Sequence, residues 1–495
     1  MNTNTTVSDF QFDPSDYPVF QEKVRRISKV NPFEGSALKE VIIDSDAIIN
    51  LPIVMSRTFP NTNHVLVVMD KTSMLRDQAS LKPLVAEILS SNGYQLTTIE
   101  LEGDQYGVVH PDFEQVNIVH KQIHPGMIVV GLGSGVVADI CKYACFMFDK
   151  EHENLLPIPL ILVATANSVP AYSSSMSIIS RDGVKRTWPT RLPNVILCDL
   201  KVLRDCPHHL SLGGVGDMCG MYIASLEWFF GIYLGVVADS PASRVILDDA
   251  RSLLIQHAAE IGKETLTGIQ IITKLLVLGG LAMTFANDST PMSGYEHGFA
   301  HLLDMGAEYF HRPIRNHGSQ VAVAGIYVLI GLERFLDTLD PSVMDIERFY
   351  PDANVMERRI AEVFLEIDPS GAMGAECWRD FQKKLIIWNN AQPQFIRLLA
   401  DWPELKHKMR EMILPAKTYV QMLHAAGHPL TFDELGIDKV EAIWAFRNAY
   451  MLRKRLSTTD LMIFMDWIDE DWIQWVFSEA QNLINQVRSE EHRQP

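Results

Sequence analysis

The 495-residue chain has no excess of basic charge, no paired-cysteine motif and no long uninterrupted apolar run. Lysine and arginine number 43 against 61 aspartates and glutamates, a formal net charge of −18. Phosphate backbones are held by basic surfaces, so nucleic acid is not the expected main partner. The six cysteines, at 141, 145, 198, 206, 219 and 377, include no C-x-x-C pair. Buried, reduced thiols in a cytoplasmic protein are the simplest account of them. The longest apolar runs, LLPIPLILVATA and LLVLGGLAMTFA, are shorter than the ~20 residues a bilayer span requires, and no membrane span is expected. The N-terminus lacks the basic and apolar regions of a secretory signal, and residues 1–15 are expected to be disordered. The tail SEEHRQP is expected to fray.

Length allows two or three domains. Over residues 16–203, strand-like and helix-like segments alternate: HVLVVMD, SLKPLVAEILSSNGY, QLTTIELEG, MIVVGLGSG, PLILVAT, SMSIIS and NVILCDL. Such alternation predicts a parallel sheet with helices on both faces. Beyond residue 203 the spacing becomes helical and stays so to about residue 485, although the region around 340–415 is less regular. The expected architecture is an α/β nucleotide-binding domain followed by an all-α domain.

Two stretches carry chemistry. VVGLGSGVVADICKYA, residues 129–144, reads as strand, glycine turn and helix. Gly131, Gly133 and Gly135 allow close backbone approach, Ser134 adds a hydroxyl, and the helix start offers free N–H groups to a phosphate. The spacing is not G-x-G-x-x-G, and a plain tight turn is the alternative. Asp70 ends an earlier strand, where an acid can bond a ribose hydroxyl and disfavour a 2′-phosphate. It could equally begin a turn or helix. Thr165, Ser168 and Ser174 follow another strand and could line a cofactor.

The second stretch is a triplet of segments. GVGDMCG carries Asp217, SGYEHGFAH carries His297 and His301, and NHGSQVAVAG carries His317. One carboxylate and two imidazoles can hold a divalent ion with open positions. His297 and His301 are one helical turn apart, so His301 could take the catalytic role of passing a substrate proton to solvent. Glu296 is placed to steer an imidazole. H-E-x-x-H is absent, so a zincin protease is not indicated.

GLGSGVVADICKYA, GVGDMCGMYIASLEW, DSTPMSGYEHGFAH and NHGSQVAVAG resemble, in order and spacing, the motifs of the sn-glycerol-1-phosphate dehydrogenase family. That family lies within the dehydroquinate synthase-like and iron-containing alcohol dehydrogenase superfamily. GVKRTWPTRLPNVILCDLKVL and the C-terminal LHAAGHPLTFDELGIDKVEAIWAFRNAYMLRKRLST extend the resemblance from about residue 60 to 470. It implies a Rossmann-like domain, a helical domain and an active site in the cleft, with metal ligands at Asp217, His297 and His317. The cofactor loop would be Gly131 to Gly135, with Asp139 and Lys142 on the helix behind. NAD or NADP would serve with zinc, iron or nickel, the substrate would be a small polyol or polyol phosphate, and a homo-oligomer is expected.

The chain departs from this family in one loop. Where the family reads Thr-x-x-Ser-x-Asp-Gly, this chain reads Thr165, Ala166, Asn167, Ser168, Val169, Pro170, Ala171, with proline in place of the acid. Thr290 stands where arginine is common. A changed substrate is the inference, with Lys185, Arg186, Arg312 and Arg315 as candidate anion contacts. A dehydroquinate synthase-like cyclase and a non-catalytic descendant are the competing readings. Asp217 and the Glu296-His297-Gly298-Phe299 sequence point away from the former, and the intact ligand set away from the latter.

Overall fold

The computed structural model describes residues 9–28, 31–343, 351–465 and 467–491. Six parallel strands form the main sheet: β1 (Glu40–Asp44), β2 (His64–Asp70), β3 (Gln95–Leu101), β4 (Met127–Gly133), β5 (Leu160–Ala164) and β6 (Val195–Asp199). Their spatial order is β1-β6-β5-β4-β2-β3. The central strands β4, β5 and β6 are buried along their whole length. This explains why they read as continuous apolar runs: both faces of a parallel sheet are covered. Val65, Val67, Ile128, Val130, Ile161, Val163, Val195 and Leu197 belong to one apolar core on one side of the sheet.

The strand order fixes where a ligand can enter. From β2 the chain moves outward to β3, then returns to place β4 on the other side of β2 and continues in the opposite direction. Open α/β sheets bind ligands beyond the strand ends at such a reversal. Strands β2 and β4 are in register up to Val68 and Gly131. Each then runs two residues further, to Asp70 and Gly133.

The strand-like SMSIIS segment is not part of this sheet. It forms a separate hairpin, Met176–Arg181 with Val184–Pro189. Asp182 and Gly183 turn it with φ of 49° and 73°, the left-handed pair favoured in two-residue hairpins.

Beyond Arg204 every described element is helical, as the change of periodicity implies. The compact units divide the chain differently from the expected boundary at 203. One unit comprises 1–181, 185–218 and 240–288, and the other 182–184, 219–239 and 289–495. The helices Pro241–Ile261 and Leu266–Ala286 therefore fold with the sheet. Buried polar contacts are the reason: the Ser173 hydroxyl donates to the Val277 carbonyl at 2.9 Å, and the Asn167 amide donates to the Thr273 hydroxyl at 3.0 Å. Leu266–Ala286 is long and apolar enough to cross a membrane by length and composition alone, but it is a mostly buried core helix of its unit.

The expected disorder of residues 1–15 reaches too far. Residues 1–8 lie outside those described, but Phe10 and Phe12 are buried and the Asp13 carboxylate meets the Lys274 ammonium at 2.7 Å. Of the expected frayed tail, residues up to Glu491 are helical and 492–495 lie outside the described residues.

The second unit is built around the helices Tyr295–Tyr309 and His317–Thr338. The irregular region resolves into the helices Ala353–Leu365, Ala372–Asn390, Gln392–Ala400 and Trp402–Met412, with 344–350 outside the described residues. Lys384, fully buried, is held by Asp460 at 2.6 Å.

Candidate functional site

In the first unit, Asp70, the glycine turn and Thr165 share the C-terminal edge of the sheet. Gly133 pairs with Ala164, and the Thr165 amide donates to the Gly133 carbonyl at 3.1 Å. The helix Gly135–Glu151 opens from Ser134 as N-cap, whose side chain makes no capping bond. The glycines are needed first for packing. A Cβ on Gly131 would lie 2.9 Å from Leu162 Cδ2, one on Gly133 2.5 Å from Val137 Cγ2, and one on Gly135 2.2 Å from Val169 Cγ2. Asp70 Oδ1 accepts from the Thr72 amide at 2.9 Å. That is the turn role allowed by the sequence, and it occupies one carboxylate oxygen.

Asp139 departs from the expected cofactor role. It is buried against Lys142, with 3.0 Å between carboxylate and ammonium, and accepts from the Ile178 amide at 3.2 Å. Burial pushes its carboxyl up and the Lys142 ammonium down, each countered by the other's charge. Lys142 donates to the carbonyls of Ala171, Ser174 and Met176, at 2.8, 3.1 and 2.5 Å. The pair is thus a clamp on the loop after β5. Sequence spacing showed the two residues one turn apart, but gave no sign of those carbonyls. In the same loop Ser168 is half-buried, while the Ser174 hydroxyl is turned inward to accept from the Met176 amide at 3.2 Å. Pro170 is buried and opens a 3₁₀ turn to Ser173, where proline's fixed φ fits and its missing N–H costs nothing.

In the second unit, His297 and His301 lie one turn apart on the helix Tyr295–Tyr309, and His317 begins the helix His317–Thr338. The His317 ring has its centre 5.6 Å from that of His297 and 4.9 Å from that of His301. Glu296, fully buried, places Oε1 2.7 Å from His297 Nδ1 and accepts from the Gly294 amide at 2.8 Å. A carboxylate there holds the proton on Nδ1 and leaves the Nε2 lone pair for a ligand. Asp304, also buried, has Oδ2 3.6 Å from His317 Nδ1 and accepts from Gln320 Nε2 at 2.6 Å. Sequence reading missed Asp304 and Gln320, although the i, i+3 spacing from His301 to Asp304 could have revealed the first. Gly220 lies against His297: a Cβ there would come 2.6 Å from the ring.

Asp217 is buried in the last turn of the helix His208–Cys219, two residues before the second unit takes up the chain at Cys219. Of the three ligands expected from the sequence, His297 and His317 stand together in the second unit, while Asp217 belongs to the first. The second unit's share fits a divalent cation: borderline nitrogen donors at His297 and His317, with carboxylates at Glu296 and Asp304 beside them.

Two of the candidate anion contacts are otherwise engaged. Arg312 makes a two-pronged ion pair with Glu441, at 2.7 and 2.9 Å, and Arg315 donates to the Gly436 carbonyl at 3.4 Å. Lys185 and Arg186 are half-buried in the hairpin. Arg453, not singled out from the sequence, donates to the Ser293 hydroxyl at 2.8 Å, and Arg455 to the Ser289 hydroxyl at 2.8 Å. Both arginines brace the segment leading into the His297 helix.

Residues 42–207 match the family model described as iron-containing alcohol dehydrogenase. Over that stretch, about a third of its length, the chain is similar to that family. Among curated proteins it is 26% identical over 425 residues to the glycerol-1-phosphate dehydrogenase [NAD(P)+] of Bacillus subtilis, covering 85% of this chain and 90% of the relative. It is 30% identical over 210 residues to the Methanosarcina acetivorans enzyme of the same name, covering 41% and 53%. Among solved structures, the glycerol dehydrogenase of Schizosaccharomyces pombe has a TM-score of 0.57 at 16% identity, covering 92% of each chain. A probable glycerol dehydrogenase from Sinorhizobium meliloti gives 0.54 at 15%, covering 91% of this chain and 97% of that one. The fold is that of these dehydrogenases.

Proposed function

We propose that the chain is a metal-dependent, NAD(P)-linked oxidoreductase that interconverts a small polyol and its ketone, with glycerol 1-phosphate the first substrate to test. The observation that carries this reading is the pairing of His297 and His317 within the second unit, with Glu296 fixed on His297. The similarity to glycerol-1-phosphate dehydrogenases supports the choice of substrate.

In this reading Asp217, His297 and His317 hold a divalent cation, and Glu296 fixes the tautomer of His297. Such a cation would stabilise negative charge on a substrate oxygen, and a bound nicotinamide would supply the acceptor or donor for hydride at the carbinol carbon. His301, one turn along the same helix, accepts the hydroxyl proton and passes it outward. Asp70, Gly133, Ser134, Gly135, Thr165 and Ser168 form the nucleotide edge. An acid at Asp70 favours NAD over NADP. Pro170 brings no carboxylate to the substrate, so hydroxyl recognition there differs from the pattern the motif implies. A cytoplasmic location and a homo-oligomeric state complete the proposal.

The test is metal analysis with a dehydrogenase assay on purified protein supplied with zinc, iron(II) or nickel and either nicotinamide cofactor. Oxidation of the reduced cofactor with dihydroxyacetone phosphate, lost in Asp217→Ala together with the bound metal, is the expected outcome. Turnover only on unphosphorylated ketones would replace the substrate but keep the reaction class. Metal retention by Asp217→Ala would overturn the site.

A further inference from the structure

His317 has a second set of neighbours besides the ligand role proposed for it above. One ligand atom each from His301, Asp304 and His317 lie within 4.8 Å of one another. All three residues of this second set are in the second unit. His301 and Asp304 are spaced i, i+3 on one helix, so both side chains face the same way, and His317 meets them from the start of the next helix.

We propose that His301 and Asp304, with His317 contested between the two sets, form a second divalent-cation site beside the first, its donors imidazole nitrogen and carboxylate oxygen. The set suits a borderline transition ion such as zinc, cobalt(II) or nickel rather than magnesium or calcium, which demand oxygen. Asp304 is fully buried and its Oδ1 is fixed by Gln320 Nε2 at 2.6 Å, so the carboxylate is held in place before any ion arrives. A buried carboxylate favours a compensating positive charge, which a cation supplies.

The shared imidazole sets the order of filling. A neutral imidazole has one lone pair for a metal, and its other nitrogen carries a proton. With His317 committed to the first site, a second ion has His301 and Asp304 as protein ligands and completes its shell with water. With His317 turned to the second site, the first ion loses a ligand. The second ion is therefore the weaker one and binds only at excess metal. Its functional consequence rests on the role proposed for His301: occupying that imidazole removes the proton path, so excess metal inhibits.

The experiment is a cobalt(II) titration of the full chain, following the visible absorption of the ion and the metal retained after equilibrium dialysis. The wild type is expected to bind one equivalent tightly and a second at higher concentration, with activity falling as the second binds. Asp304→Asn and His301→Gln should each bind the first equivalent and lose the second. Saturation of the wild type at one equivalent, or a second equivalent retained by both variants, would overturn the proposal. Loss of the first equivalent is read separately from Asp217→Ala, so failure of the primary site and failure of the second are told apart.

Discussion

Glu296 Oε1 lies 2.7 Å from Nδ1 of its chain neighbour His297, and the Gly294 amide donates to the same oxygen. Two adjacent residues at the start of a helix thus hold one imidazole in a fixed orientation, as the metal ligand proposed at His297 requires. Outer partners of this kind typically carry ~10–100-fold in metal affinity. Glu296→Gln keeps the volume but weakens the hold on the Nδ1 proton. It should retain metal about 10-fold less tightly in competition with a chelator, while the far-ultraviolet circular dichroism stays unchanged.

Lys142 and Asp139 offer a stability prediction. Lys142→Met leaves three carbonyls without their donor and Asp139 buried without its counter-charge. Breaking one side of a buried pair typically costs ~3–5 kcal/mol. The double variant Lys142→Met/Asp139→Asn removes the stranded charge and should recover part of that loss. Urea unfolding midpoints of the three proteins measure it; a single variant as stable as the wild type would rule out the clamp.

Gly280 has no room for a side chain. A Cβ there would stand 2.1 Å from Ser173 Oγ and 2.4 Å from the Pro170 carbonyl. Gly280→Ala must push the 170–173 turn away from its helix, and such overpacking costs ~1–3 kcal/mol. If that turn borders the nucleotide edge as proposed, the KM for the cofactor rises more than kcat falls, which steady-state kinetics at varied cofactor would detect.

His428 predicts a pH dependence unconnected with catalysis. Burial pushes its imidazole down to about 4, against a small upward pull from the Pro429 carbonyl and Glu434. Above about pH 6.5 the ring is neutral in both folded and unfolded chains and has no effect. As pH falls from there, the unfolded chain takes up the proton first, so stability declines until the folded ring also protonates near pH 4. The total is on the order of 3 kcal/mol. His428→Gln should flatten the unfolding midpoint between pH 7 and 5; an unchanged slope would show that other groups set it.

Much of the fold was visible in the sequence because its signals are local. Strands β4, β5 and β6 are apolar without interruption because both faces are covered, and Asp217, His297 and His317 each stand beside glycines that mark tight packing. What stayed hidden depends on contacts far apart in the chain. Nothing around Leu266–Ala286 says that Thr273 and Val277 will meet Asn167 and Ser173. The SMSIIS segment has strand propensity, but propensity does not tell a main-sheet strand from a hairpin, and the Asp182-Gly183 turn decided it. Phe10 and Phe12 were lost in a polar stretch whose average hid two buried rings. Asp304 was legible in its i, i+3 spacing from His301 but went unread; what the spacing could not show is its approach to His317, thirteen residues further on.

The chain passes between its two compact units five times, at 181/182, 184/185, 218/219, 239/240 and 288/289. On the ribosome the sheet cannot finish folding when its last strand emerges at Asp199. It must wait nearly ninety further residues for Ala286, with the partners of Asn167 and Ser173 still unmade. Domains that are contiguous can fold as they are synthesised; this one is committed late. A fragment ending at residue 203 would expose the apolar surface that Leu266–Ala286 covers, and the halves are correspondingly poor candidates for exchange between proteins by cutting at the change from strand to helix.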